Sequence, residues 1–187
     1  MFATSICKTM SIKNNVIFKF LLVIAWIIFV GLSIEAGGLI VNFIFSVFKP
    51  EVVANLYQKL DLSKLYGQNQ AAFYNVYSFV LALSILKAFL FYKVVMLLHR
   101  MDLTHPFSEY VARTISSIAY FTFSIGLISV IAREYARNLN NHGYPTDNLH
   151  QFWTDGRAFI LMAAVVYVIA QIFKRGVELQ SENDLTV

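Results

Sequence analysis

The chain has 187 residues, of which 58% are apolar or aromatic and only 14% are charged. Soluble domains are usually about 45–50% apolar and about 25% charged, so this composition argues strongly against a water-soluble domain. It also argues against disorder, because disordered chains are poor in apolar residues. The net charge of +4 does not indicate direct nucleic-acid binding, since most cations flank apolar runs, where they face lipid headgroups. Cys7 is the single cysteine, so an internal disulfide is excluded.

Four apolar runs predict four membrane-spanning helices, because a helix that crosses the hydrocarbon core needs about 20 largely apolar residues. The predicted spans cover residues 16–36, 71–98, 109–133 and 155–175. We therefore predict an all-α integral membrane four-helix bundle that forms one domain over residues 1–187. Residues 176–187 are predicted to form a short tail.

The first span begins like a signal peptide, with lysines before its apolar run. The apolar character continues to Phe48, which favours an uncleaved first helix. We expect this helix to continue past Gly37 and Gly38 as an amphipathic segment in the membrane interface and to end at Pro50. The polar residues that share one face of this segment are Glu35, Asn42, Ser46 and Lys49.

The first outer loop contains a further periodic pattern. Its apolar residues predict a modest amphipathic helix, which would lie in the interface rather than cross the membrane. These residues are Val52, Val53, Leu56 and Leu60.

Local signals mark the helix ends. Ser108 is a favourable N-cap for the third span, and Glu109 suits the positive end of that helix. Gly143 is typical of the loop that follows it. Thr154-Asp155 is a cap signal for the fourth span. Gly176 predicts a left-handed C-cap that ends the fourth helix.

The distribution of cations favours cytoplasmic termini. With both termini inside, the cytoplasmic side carries eight cations and the outer side six. The inner set is Lys8, Lys13, Lys19, Lys93, Arg100, Arg113, Lys174 and Arg175, and the outer set is Lys49, Lys59, Lys64, Arg133, Arg137 and Arg157.

Two ionisable residues lie within predicted spans and are candidates for intramembrane function. Lys87 is expected to extend its side chain toward the inner headgroups, and a paired or substrate-facing role is the alternative. Glu35 is expected to pair with an outer arginine, namely Arg133, Arg137 or Arg157. If either residue lined a water-filled path, the protein would be a small transporter or channel subunit.

The histidines give little support for a metal site or a haem site. His142 and His150 could join Asp147 around a metal, but all three belong to one polar loop. His99 and His105 lie at a helix end and in a loop, where haem ligation between helices is not expected. Catalytic motifs are absent from the sequence. We therefore predict no metal, no cofactor and no enzymatic activity.

Small residues recur along one face of the third span, and they allow helices to approach closely. Packing within the bundle explains this pattern, with a homodimer as the alternative. The residues are Ala112, Ser116, Ala119, Thr122 and Gly126.

The C-terminal segment mixes carboxylates with apolar side chains, which is typical of a short docking segment. The run GVELQSENDLTV from Gly176 to Val187, together with PFSE at Pro106–Glu109 and with Arg113, resembles the bacterial membrane family known as domain of unknown function 2975. This resemblance extends from the first span to the last residue.

The resemblance implies a four-helix protein of the bacterial inner membrane with no established activity. It also implies a partner, because members of the family often accompany a very small helix-turn-helix regulator. We therefore expect a membrane adaptor or sensor that docks such a regulator at its cytoplasmic face. The candidate docking residues are Pro106, Phe107, Ser108, Glu109, Arg113, Gly176, Glu178, Leu179, Glu182, Asn183, Asp184 and Leu185.

Overall fold

The structure is a computed structural model that describes residues 2–49, 51, 62–102, 106–144, 146–153 and 155–184 and, apart from residues 2–15, 147, 148, 183 and 184, their side chains. This part of the chain is helical and contains no strand. Its elements are α1 (Phe2–Phe48), α2 (Ser63–Gln68), α3 (Gln70–Arg100), α4 (Glu109–Asn141), a 3₁₀ helix (Asp147–Phe152) and α5 (Gly156–Asp184). In the described residues, α1, α3, α4 and α5 are long and apolar enough to cross a membrane, which confirms the predicted fold class.

α1 runs without interruption through Gly37 and Gly38 to Phe48, as predicted. A helical glycine costs about 1 kcal/mol relative to alanine. Leu39, directly after the pair, is fully buried, and its packing stabilises the helix at this point. The helix ends two residues before Pro50. The amphipathic helix predicted for residues 52–60 lies outside the described residues.

The spanning helices pack mainly against their neighbours in the chain and alternate in direction. α1 contacts α3 through stacked rings of Phe43 and Tyr77, and the Tyr77 hydroxyl donates to the carbonyl of Leu39 at 3.1 Å. α3 contacts α4 through the stacked rings of Phe89 and Phe121. The alternation puts the start of α1, the end of α3, the start of α4 and the end of α5 at one end of the molecule. We call it the terminal end, and the opposite end the loop end.

α4 and α5 approach each other closely at two glycines. A Cβ atom added to Gly126 would lie 2.9 Å from the backbone nitrogen of Ile160. A Cβ atom added to Gly156 would lie 2.8 Å from Cβ of Ser129. Larger side chains at either glycine would therefore separate the two helices.

The small residues of α4 are buried inside this chain. Ala112, Ser116, Ala119 and Gly126 are all buried, and the last of them faces α5 directly. Packing within the molecule therefore accounts for the pattern, as expected. The homodimer stays an untested alternative.

Ser108 caps α4, as predicted, because its hydroxyl accepts a hydrogen bond from the backbone N–H of Val111 at 3.3 Å. We expect Ser108→Ala to cost about 1 kcal/mol and to lower the unfolding midpoint by roughly 2–4 °C. Thermal unfolding of the protein in lipid nanodiscs measures this shift. Ser117→Ala is the control, since Ser117 bonds within α4 to the carbonyl of Arg113 and caps nothing. Equal shifts for the two variants would contradict the capping role.

The predicted end of the fourth helix at Gly176 is wrong. α5 passes through this residue and continues to Asp184, so residues 176–184 extend the helix. Among the described glycines only Gly143, two residues after the end of α4, has a positive φ, of 84°. The ring of Phe107 occupies the space that a Cβ atom would need at Gly176. This glycine therefore permits a close contact and does not end the helix.

Candidate functional site

Two segments that are distant in the sequence meet at the terminal end of the molecule. Phe107 lies just before α4, and its ring packs against the ring of Phe173 on α5 with centroids 5.4 Å apart. The same ring lies on Gly176, where an added Cβ atom would be 2.7 Å from Cε1 of Phe107. The antiparallel packing of α4 and α5 thus joins the Pro106–Arg113 segment to the C-terminal part of α5, which are the two segments that the sequence singled out.

An open groove of about 620 Å³ lies beside this contact. We call it the Phe107 groove, and it is lined by Phe107, Ile172, Arg175, Gly176, Leu179 and Gln180. The exposed fraction is 41% for Phe107 and 54% for Leu179. Both side chains are exposed, so the groove presents an apolar surface that an amphipathic partner could cover.

The sequence prediction missed three residues of this surface. Ile172, Phe173 and Arg175 were assigned to the span and its flank, although they contribute to the groove or to the ring contact below it. The signal was available, because residues 172, 176 and 179 follow the spacing of one helix face. It was hidden by the expectation that the helix ends at Gly176.

A second pocket, of about 340 Å³, lies between the start of α4 and the end of α5. It is more polar than the groove, and its lining is Glu109, Ala112, Arg113, Lys174, Val177 and Glu178. We call it the Arg113 pocket.

Two ion pairs belong to this region. The guanidinium of Arg113 pairs with Glu109 one turn earlier, and Arg175 Nη1 donates to Oε2 of Glu178 at 2.6 Å. All four side chains are mostly exposed. Exposed pairs are worth about 0–1 kcal/mol, so these charges can exchange their intramolecular partners for those of a docked molecule at little cost.

The remaining candidate residues of the C-terminal segment are only partly described. Glu178 and Glu182 lie one helical turn apart on one face of α5, and both are exposed. Asn183 and Asp184 belong to α5, and their side chains are not described. Leu185 lies outside the described residues.

Glu35 and Lys87 are both half-buried in the spanning region, on α1 and α3. The expected ion pair of Glu35 with Arg133, Arg137 or Arg157 is wrong, because no ion pair joins these described side chains. Arg133 and Arg137 contact Glu134 on their own helix. The reason is the packing order, since α1 lies against α3 and α4 lies beyond it.

Neither intramembrane charge lines a described cavity. A further cavity among the described residues, of about 390 Å³, lies along one side of the contact between α1 and α3, and its lining includes Ser33, Gly37 and Phe89 but not Glu35 or Lys87. The transporter or channel alternative therefore gains no support from the cavities described in this chain.

The loop histidines do not converge with other ligand residues in the described part of the chain. Nδ1 of His142 lies 2.8 Å from the carbonyl oxygen of Asn138 at the end of α4. Among described side chains, no three His, Cys, Asp or Glu residues come together as metal ligands would. The side chain of Asp147 and all of His105 lie outside the described set.

The four apolar helices define a multi-pass membrane protein. The chain belongs to the family described as protein of unknown function (DUF2975), whose sequence model matches residues 55–187. This confirms the resemblance read from the loop and the tail, although the match begins after α1 and does not include the first span. Comparison with curated proteins and with solved structures gives no match.

Proposed function

We propose that this protein is a non-enzymatic adaptor or sensor of the bacterial inner membrane, which docks a small helix-turn-helix transcription regulator at its cytoplasmic face. In this proposal both termini are cytoplasmic, and the distribution of cations, eight against six, supports that orientation. The terminal end of the molecule would then face the compartment in which a DNA-binding regulator operates.

The observation that carries the proposal is the meeting of the two distinctive segments in one exposed surface. Phe107 covers Gly176, and the groove between Phe107 and Leu179 remains open. Packing alone would require the contact of Phe107 with α5, but it would not require Leu179 to remain exposed beside it. An apolar groove with charges on its flank is the arrangement that accepts an amphipathic helix.

The length of α5 supports access to this surface from water. α5 has 29 residues and is therefore about 44 Å long, whereas the hydrocarbon core is about 30 Å thick. Roughly nine residues of α5 would extend beyond the core. Leu179 and Glu182 lie in that extension, where a soluble partner can reach them.

The chemistry of the surface indicates how a regulator would bind. One apolar side chain of its helix would enter the Phe107 groove, and basic side chains beside it would face Glu178 and Glu182. For a signal to control docking, it would have to bind differently to two arrangements of the helices.

We expect Leu179→Asp to weaken capture of a co-expressed neighbouring helix-turn-helix regulator about 30-fold, which corresponds to the loss of a contact worth about 2 kcal/mol. The reason is that a carboxylate would be buried against Phe107 without a partner. Capture from solubilised membranes onto the tagged full-length protein measures the effect.

Ser181→Asp is the matched control for this experiment. It adds the same charge two residues further along α5, at an exposed position that does not line the groove. Capture should change less than about twofold, in line with a contact outside the binding centre. The proposal is wrong if the unmodified protein does not capture the regulator, or if both variants capture it equally well.

A further inference from the structure

We infer that Glu35 and Lys87 form a charge pair inside the membrane that joins α1 to α3. Each lies near the middle of its apolar helix, because α1 remains apolar to Phe48 and α3 runs from Gln70 to Arg100. Each is half-buried, so neither simply faces lipid. In this structure the two side chains are not in ion-pair contact, and the pair would form by rotation about side-chain bonds.

Both residues lie on the same side of the contact between α1 and α3. The opposite side is marked by the 390 Å³ cavity, where residues 33, 36, 37 and 40 of α1 meet residues 85, 88, 89 and 92 of α3. At about 100° per residue, Glu35 lies about 150° around α1 from the centre of that lining but only about 40° from Leu39, which the Tyr77 hydroxyl contacts. Lys87 lies about 150° around α3 from the centre of its lining and about 80° from Tyr77. Neighbouring helix axes are about 8–10 Å apart, a distance that a lysine and a glutamate together can bridge.

The two residues also lie at similar depth. Ring contacts between Phe29 and Tyr92 and between Phe43 and Tyr74 set the register of the two antiparallel helices. Counted from the first contact at 1.5 Å per residue, Glu35 and Lys87 are offset by about 1.5 Å along the helix axes. Counted from the second contact, the offset is about 7.5 Å. In both counts Lys87 lies closer to the terminal end.

The direction of the side chains brings Glu35 and Lys87 closer together along the helix axes. In an α-helix the Cα–Cβ bonds tilt toward the N-terminus. Because α1 and α3 run in opposite directions, Glu35 tilts toward the terminal end and Lys87 tilts toward the loop end, so the two approach each other. The same tilt directs Lys87 away from the headgroups near Arg100, which argues against an extended lysine reaching that interface. Pairing removes two isolated charges from the hydrocarbon core, where each alone is costly.

The test uses the full-length protein in lipid nanodiscs and the variants Glu35→Gln, Lys87→Met, the double neutral variant, and the swap of Glu35→Lys with Lys87→Glu. We expect each single neutral variant to lower the thermal unfolding midpoint by about 4 °C, since one charge then remains without its partner. The double neutral variant should return to within about 1 °C of the native midpoint, because no unpaired charge is left. The swap should recover at least half of the loss.

Lys93→Met is the matched control, because Lys93 is a half-buried lysine of the same helix about 9 Å closer to the terminal end. Its midpoint should stay within about 1 °C of the native value. The inference is overturned if Lys87→Met behaves like Lys93→Met, or if the double variant shows the sum of the two single losses. Should neither single variant fold, folding of the double neutral and swapped variants would support the pair, and their failure would exclude it. The outcome is independent of the proposed docking of a regulator.

Discussion

Gly126→Val is expected to lower the thermal unfolding midpoint by roughly 6–12 °C, because α4 and α5 could no longer meet. The new Cβ atom would lie 2.9 Å from the backbone nitrogen of Ile160 and 3.0 Å from the carbonyl oxygen of Gly156. Since these are backbone atoms of a facing helix, no rotamer change relieves the clash. Over-packing usually costs about 1–3 kcal/mol, and contacts with backbone belong at the upper end.

Gly31→Val is the control for this experiment, measured in the same nanodiscs. Gly31 is also helical, but an added Cβ atom there would find no heavy atom within 4 Å. Its midpoint should differ from the native value by less than about 2 °C, because only the small difference in helix propensity acts. Equal shifts for the two variants would mean that the contact at Gly126 does not hold α4 to α5.

The spans could be predicted from the sequence because the membrane imposes a simple requirement. A segment in hydrocarbon must satisfy its own backbone hydrogen bonds, so each long apolar run becomes a helix. The same reasoning cannot give the full length of a helix. α4 continues beyond residue 133 to Asn141, and α5 continues to Asp184. These extensions are polar. Hydropathy shows which part of a helix lies in lipid, but it does not show at which residue the helix ends.

Gly176 shows why the helix end was predicted wrongly. Basic residues followed by glycine are typical of a C-cap, but glycine also permits close approach of another group. The two roles look identical in the local sequence. Only the position of Phe107, which comes from a distant segment, distinguishes them. The sequence alone therefore did not show which side chains pack against each other across helices.

The same limit explains which parts of the candidate site were predicted. Phe107, Glu178 and Leu179 were identified because the motif residues are distinctive, and the structure brings their segments together. Arg175 was missed because its role depends on which face of α5 continues past the membrane. The partner of Glu35 was predicted wrongly for a related reason, since the order in which helices pack is not encoded in the charge pattern of any one of them.

Gly176→Leu is expected to displace Phe107 from α5 and thereby to weaken capture of the regulator at least about 30-fold, the loss expected at a binding centre. The added side chain would occupy the space of the Phe107 ring, whose Cε1 lies 2.7 Å from the position that the new Cβ atom would take. We also expect the unfolding midpoint to fall by roughly 4–8 °C, as over-packing by about 2 kcal/mol would produce.

A second variant separates loss of stability from loss of the surface. Adding Phe107→Ala to Gly176→Leu removes the clash, so the midpoint should recover by at least half, whereas capture should stay weak because the Phe107 wall of the groove is gone. Ser181→Leu, at an exposed position of α5 away from the groove, should leave both measurements near their native values. If the double variant restored capture together with stability, the regulator would be responding to the fold of α5 as a whole. The apolar groove would then not be its binding site, and the recognition surface would have to be sought among the charged residues around Arg113.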